Sequence, residues 1–160
     1  LRKVFMGSIT HEVIQDCDLP VLAVPRGLKF TPWSKVAFAT SYRFDEVALL
    51  NSAIELLKKL LPRRSFKLLV YHLCSGKSAA ETARWEAWCR HVRSAVKSPR
   101  PDFRLEEAGD FLEGLRSMIR KERIELLVLN SNYKTKGRKF FGRDLLREVA
   151  YRPDVPLLIF

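Results

Sequence analysis

The amino-acid sequence predicts an α/β domain built on a doubly wound, five-stranded parallel sheet, with an extra terminal helix-strand unit from a preceding repeat. Three observations carry that prediction. From residue 34 onward, short apolar runs alternate with amphipathic stretches, the pattern of strands joined by crossover helices. The apolar runs are nearly continuous, as strands covered by helices on both faces require. The first two dozen residues also repeat the last two dozen, so the chain opens on a copy of the unit that closes it.

The repeat has an offset of 136, which lays residues 1–24 on residues 137–160 without a gap. Arg2, Lys3, Phe5 and Glu12 meet Arg138, Lys139, Phe141 and Glu148. Val13, Asp18, Pro20 and Leu22 meet Val149, Asp154, Pro156 and Leu158. These eight identities in 24 positions exceed the roughly one or two that average residue usage gives by chance. Both copies read as a basic lead-in, an amphipathic helix, a turn holding Asp and Pro, and a short apolar strand. Residues 1–25 are therefore expected to be the end of a truncated first domain, with about 110 residues upstream if the period holds.

Pro25, Gly27 and Pro32 interrupt helix and ladder alike, which marks 26–33 as a linker. A complete domain is expected over 34–160. Its first strand is SKVAFAT, 34–40, followed by a helix over 44–61 in which Val47, Leu50, Ile54, Leu57 and Leu61 recur at three or four. Pro62 ends it. Residues 66–73 form the second strand. Ser78, with Glu81 three residues on, gives a capping box opening a helix over 78–98; its Trp85 and Trp88 read as core or interface. A third strand at 103–107, a helix over 111–122 with Leu112, Leu115 and Ile119 on one face, and a central fourth strand at 125–130 follow. A helix over 141–151 and a fifth strand at 155–160 close the chain.

An apolar fraction of 47% with 29% charged residues supplies one ordinary core and excludes disorder. Apolar runs such as 68–71 and 126–129 fall well short of the roughly 18 residues that cross a bilayer, and no charged-then-apolar leader is seen. No membrane partner and a cytoplasmic location are expected. Cys17, Cys74 and Cys89 are an odd set without a close pair, which suits reduced thiols. The net charge of +11 favours phosphates, acidic partners or nucleic acid. Its spread over every predicted helix equally describes a solvated surface.

The order of these elements resembles the universal stress protein family. The residues that carry the resemblance are KVAFATSYRFDEVALLNSAIELL, IELLVLN, and the two endings GSITHEVIQDCDLPVLAVP and GRDLLREVAYRPDVPLLIF. It covers essentially the whole chain, and the first ending, with Gly7, Ser8, Val13, Pro20, Val21, Leu22 and Pro25, is the nearer to the family pattern. The resemblance implies a five-stranded fold of the adenine nucleotide alpha hydrolase type, a role in stress regulation, and a nucleotide place over the carboxyl ends of the strands. Members of the family fuse two domains in tandem and pair them through their last strands. Strands 20–24 and 155–160, each otherwise an exposed edge, are therefore expected to lie antiparallel, in a domain pair or a homodimer.

ATP-binding members carry Gly, two residues, Gly, nine residues, then Gly and Ser or Thr, so that bare amides and a hydroxyl approach the phosphates. Here Asn130 and Tyr133 stand at the two glycine positions, and Gly142 and Arg143 at the closing pair, one residue early. Ser41 stands where the family has an acidic residue that contacts the nucleotide. Gly7 and Ser8 retain the closing pair in the first copy. The resemblance thus implies a degenerate domain that has lost standard ATP binding, with a regulatory rather than catalytic role.

Two other readings stay open. Lys134, Lys136, Arg138, Lys139 and Arg143 gather at the loop before the last helix, where amides, helix dipole and switch-point geometry favour an anion. A phosphate or adenine nucleotide ligand, ATP or AMP, would then meet Ser41, Asn130, Lys134, Lys136, Gly142 and Arg143. Tyr133, Phe140 and Phe141 beside those cations keep nucleic-acid binding open. A metal site from His72, Cys74, Cys89 and His91 is disfavoured, because a spacing of two on a helix turns side chains about 200° apart. No nucleophile elbow or paired-carboxylate motif is visible, and Asp45 and Glu46 read as an acidic first helical turn.

Overall fold

The structure of the chain, a computed structural model, describes residues 13, 17, 19–29, 31–43, 45–130 and 155–160. Its elements are β1 (Val21–Ala23), β2 (Lys35–Ala39), α1 (Glu46–Leu60), β3 (Lys67–Cys74), α2 (Ala79–Ala95), β4 (Pro101–Glu107), α3 (Phe111–Glu122), β5 (Leu126–Leu129) and β6 (Leu157–Ile159). The strands form one sheet in the order β1-β6-β5-β2-β3-β4. β2 to β6 pair in parallel, and β1 runs antiparallel beside β6. The sheet therefore has six strands, five in parallel and, antiparallel at its edge, β1 from the N-terminal unit. The closing helix expected over 141–151 lies outside the described residues. Of the opening helix, Val13 is helical, and the Cys17 N–H donates to its carbonyl at 3.1 Å.

Alternation of side chains along each strand divides the core into two layers. Val36, Phe38, Leu68, Val70, Leu126 and Val128 face α1 and α2, whose Leu50, Ile54, Leu57, Trp85, Trp88 and Val92 cover them. Ala37, Ala39, Leu69, Tyr71, Leu127 and Leu129 face α3 through Leu115, Met118 and Ile119. Trp33, from the stretch read as a linker, is buried in the first layer. α2 is capped by the Ser78 hydroxyl, which accepts the Glu81 N–H at 3.1 Å. The Glu81 carboxylate turns to Tyr42 and Arg84 instead of completing the box. α3 is capped by Asp110, which accepts the Glu113 N–H at 2.8 Å.

The β1–β6 register pairs Val21 with Ile159, Leu22 with Leu158 and Ala23 with Leu157. At the 136-residue offset, Val21, Leu22 and Ala23 are equivalent to Leu157, Leu158 and Ile159. Leu22 thus faces its own equivalent, and the outer pairs exchange. That is the signature of a local two-fold axis through the ladder.

At the amino edge of the sheet, Glu125 ties β5 to β2. Its Oε2 accepts the Ser34 N–H, the Ser34 hydroxyl at 2.9 Å and the Lys35 N–H at 3.2 Å. The Ser34 N–H first, aided by the Ser34 hydroxyl and Lys35, holds its carboxyl below the ordinary 4.5 against a partial burial cost. Because the folded carboxyl titrates below the unfolded one, its contribution is full above about pH 4.5 and fades as pH falls through the folded value. Glu125→Gln is expected to lower stability by about 1 kcal/mol at pH 7. Urea unfolding across pH 3–7 checks this: the gap between variant and wild type should shrink below pH 4.5, and a constant gap would assign the loss to packing.

Candidate functional site

Connections leave β2 in opposite directions. The chain passes from β2 through α1 to β3 on one side, and from β4 through α3 back to β5 on the other. In an open parallel sheet this reversal opens a crevice over the carboxyl ends of the two central strands. Phe38 pairs with Val128, so Thr40 and Asn130 lie level with each other, two residues beyond the last registered pair. Ser41 follows Thr40. Of the residues expected to form a ligand site, Ser41 and Asn130 are thus brought to one place, with Asn130 only 5% exposed. Gly7, Ser8, Lys134, Lys136, Gly142 and Arg143 lie outside the described residues.

Glu46, at the start of α1, governs this end of β2. Its side chain is 3% exposed and folds back over the β2–α1 turn. Oε2 accepts the Thr40 hydroxyl and the Ser41 N–H at 3.0 Å, and Oε1 accepts the Ser41 hydroxyl at 2.7 Å. The Tyr42 N–H donates in turn to the Thr40 hydroxyl oxygen at 2.8 Å. Every donor that the turn presents between Thr40 and Tyr42 is therefore used internally. A buried carboxylate needs such a set of partners, and an acidic first turn on α1 is only part of its role.

Tyr42, in the turn after β2, packs against His72 of β3 and Trp85 of α2. Its backbone is left-handed, with φ 48°, a conformation sparsely populated by bulky residues. That bend lays its ring edge-on to His72 at 4.7 Å and to Trp85 at 6.1 Å. Its hydroxyl donates to Glu81 Oε1 at 2.7 Å. Burial first, and then Glu81, push the Tyr42 phenol above its ordinary range. Led by the Tyr42 hydroxyl, the same contacts hold Glu81 below the usual carboxylate range.

His72 is 2% exposed at the end of β3. Its Nδ1 lies 2.7 Å from the Thr40 carbonyl, Nε2 lies 3.8 Å from Glu81 Oε1, and its ring stacks on Trp85. Burial lowers its pKa, opposed by the Thr40 carbonyl and the charges of Glu81 and Glu46. Trp85 stacks in turn on Trp88, whose Nε1–H donates to the Arg43 carbonyl at 2.9 Å.

Four residues of this cluster, Glu46, Tyr42, His72 and Glu81, were not singled out as site residues by sequence. The signal was faint: two hydroxyl residues after a strand, with a glutamate five positions on. Cys74 lies farther along β3, and its thiol donates to the Glu106 carbonyl at 3.5 Å. Cys89 is buried in α2, where burial pushes its thiol up to about 11, and His91 is exposed on the same helix. Among the described residues no group of three His, Cys, Asp or Glu side chains could hold a metal ion, and no helix is long and apolar enough to cross a membrane. Around the turn after β2 thus stand two carboxylates, the buried Glu46 and Glu81, with Arg84 beside the second at 3.0 Å.

Solved universal stress proteins share this fold. One in complex with cAMP is 15% identical, with a TM-score of 0.58 over 81% of this chain and 98% of that one. One from Archaeoglobus fulgidus in complex with dAMP is 13% identical, with a TM-score of 0.60 and the same coverage. A third, from Archaeoglobus fulgidus DSM 4304, is 15% identical, with a TM-score of 0.65 over 96% of this chain but 54% of its own length. No family model and no curated relative matches the sequence.

Proposed function

We propose that this chain, which has the universal stress protein fold, is a stress-regulatory module whose domain over 34–160 has given up standard ATP binding. The observation that carries this reading is Glu46. A phosphate at the end of β2 would need the hydroxyls and amide of Thr40 and Ser41, and these already bond a buried carboxylate. An anion placed there would stand within roughly 4–6 Å of that negative charge, a distance at which like charges repel appreciably. Tyr42 fills the neighbouring space and brings Glu81 with it.

In the same reading, residues 1–25 are the end of a preceding copy of the domain, and β1 is that copy's last strand. The repeat, the two-fold β1–β6 register and the alignment of nearly the whole chain within half of a longer universal stress protein support it. Gly7 and Ser8 would then belong to the nucleotide site of the preceding copy.

The second reading is an adenine nucleotide or phosphate site in which Lys134, Lys136, Gly142 and Arg143 replace the glycine loop around Asn130 and Ser41. The cAMP and dAMP complexes of similar folds favour it. Isothermal titration with Mg-ATP, AMP and cAMP separates the two. No heat at millimolar ligand is the expected outcome, and saturable binding below about 100 μM, some 5.5 kcal/mol of affinity, selects the second reading.

A further inference from the structure

Each helix of this fold runs back from the carboxyl to the amino edge of the parallel strands. The ends of α1 and α2, with loops 61–66 and 96–100, therefore gather at the amino edge of β3 and β4, opposite the crevice. Lys58, Lys59 and Arg93 stand in the last turns of the two helices, where the helix dipole accounts for them. Arg63, Arg64, Lys67, Lys97 and Arg100 lie outside the helices, and it does not account for these five. All are exposed. The Leu68–Pro101 pairing sets Lys67 directly beside Arg100.

The carboxylates nearby are few. Glu55 is committed to Lys58 at 2.9 Å, and Asp102 follows Pro101 on β4. None of the five loop and strand cations forms an ion pair with a described residue. Farther along the same edge, by contrast, Lys35 is tied to the Glu122 carbonyl and Glu125 to Ser34. Arg63 also has φ 65°, a left-handed backbone that glycine or asparagine adopts more easily.

We propose that this edge binds duplex nucleic acid through its phosphates, without reading sequence. Two adjacent helices set the edge at about 10 Å across, a length of duplex that carries roughly six charges over its two strands. No exposed aromatic residue stands on it among the described residues, since Phe103 lies beneath the Arg93 guanidinium at 4.6 Å. Base stacking on a single strand therefore has no platform. Leu60 is the one large apolar side chain exposed there among the described residues. A membrane surface would want an apolar face as well as charge, so a rigid phosphate array is the better complement.

Fluorescence anisotropy with a labelled random-sequence DNA duplex of about 20 base pairs, between 50 and 200 mM salt, tests the assignment. Binding should weaken steeply, with log affinity linear in log salt. Arg63→Asn combined with Arg100→Gln should reduce that slope by about two and weaken binding at least tenfold at 50 mM. Its melting temperature should be unchanged, because asparagine tolerates the left-handed backbone. The charge-matched pair Lys77→Gln and Arg116→Gln, off this edge, should leave the slope alone. The assignment is overturned by no duplex binding at 50 mM salt, by equal losses in both pairs, by binding that survives the Arg63 and Arg100 changes, or by capture on phosphatidylserine vesicles without duplex binding.

Discussion

Trp88→Ala is expected to cost about 3–5 kcal/mol, a large fraction of the roughly 5–15 kcal/mol that holds a domain folded. Trp88 is 2% exposed, stacks on Trp85 at 5.6 Å between ring centres, and is one of the largest fully buried side chains. Its removal leaves a cavity under α2 that the rigid β3 and β4 cannot close. It also removes one of the two donors that the described residues offer the Arg43 carbonyl, which keeps only the Glu46 N–H at 3.2 Å. Urea unfolding should show a lower midpoint at unchanged slope. Trp88→Phe should recover most of the loss and retain a deficit of about 1 kcal/mol for the missing indole N–H. Equal losses in both variants would mean that the hydrogen bond, and not the ring, dominates.

Glu46→Ala is expected to be the second most damaging change, at about 2–3 kcal/mol. It removes the common acceptor of the Thr40 hydroxyl, the Ser41 amide and the Ser41 hydroxyl. Thr40 is buried, so its hydroxyl cannot turn to water. Glu46→Gln keeps one acceptor but aims an amide NH2 at the same donors, and its cost should fall between wild type and alanine. Thermal unfolding of the three proteins checks the order. A glutamine variant as stable as wild type would show that the carboxylate's charge is immaterial to the turn.

Layering and connectivity were legible in the sequence because they follow from periodicity. The stripe of Val47, Leu50, Ile54 and Leu57, the near-continuous β3, and the Trp pair on α2 all occupy the places that burial demands. The repeat likewise marked residues 21–23 as a strand. As each strand was otherwise an exposed edge, 20–24 and 155–160 were expected to lie antiparallel, in a domain pair or a homodimer; within this chain β1 runs antiparallel beside β6.

The site was less readable. Ser41 and Asn130 were named because the family resemblance aligns them with nucleotide-contacting positions, and the β2–β5 register brings the two strand ends level. Glu46 was read only as a first-turn acid, and the capping box at Ser78 suggested that the Glu81 side chain would stay local. Both carboxylates instead reach across to neighbouring elements. Such contacts depend on the left-handed bend at Tyr42 and on the distance between α1 and α2, quantities that no residue spacing encodes.

The central claim is that the crevice beside β2 is closed by its own side chains. Amide NMR of the 15N-labelled protein during titration with AMP, followed at Ser41, Tyr42 and Asn130, tests it most directly. The account predicts that these three signals stay in place up to millimolar AMP. Saturable, concerted shifts at all three, with Glu46 still present, would contradict it.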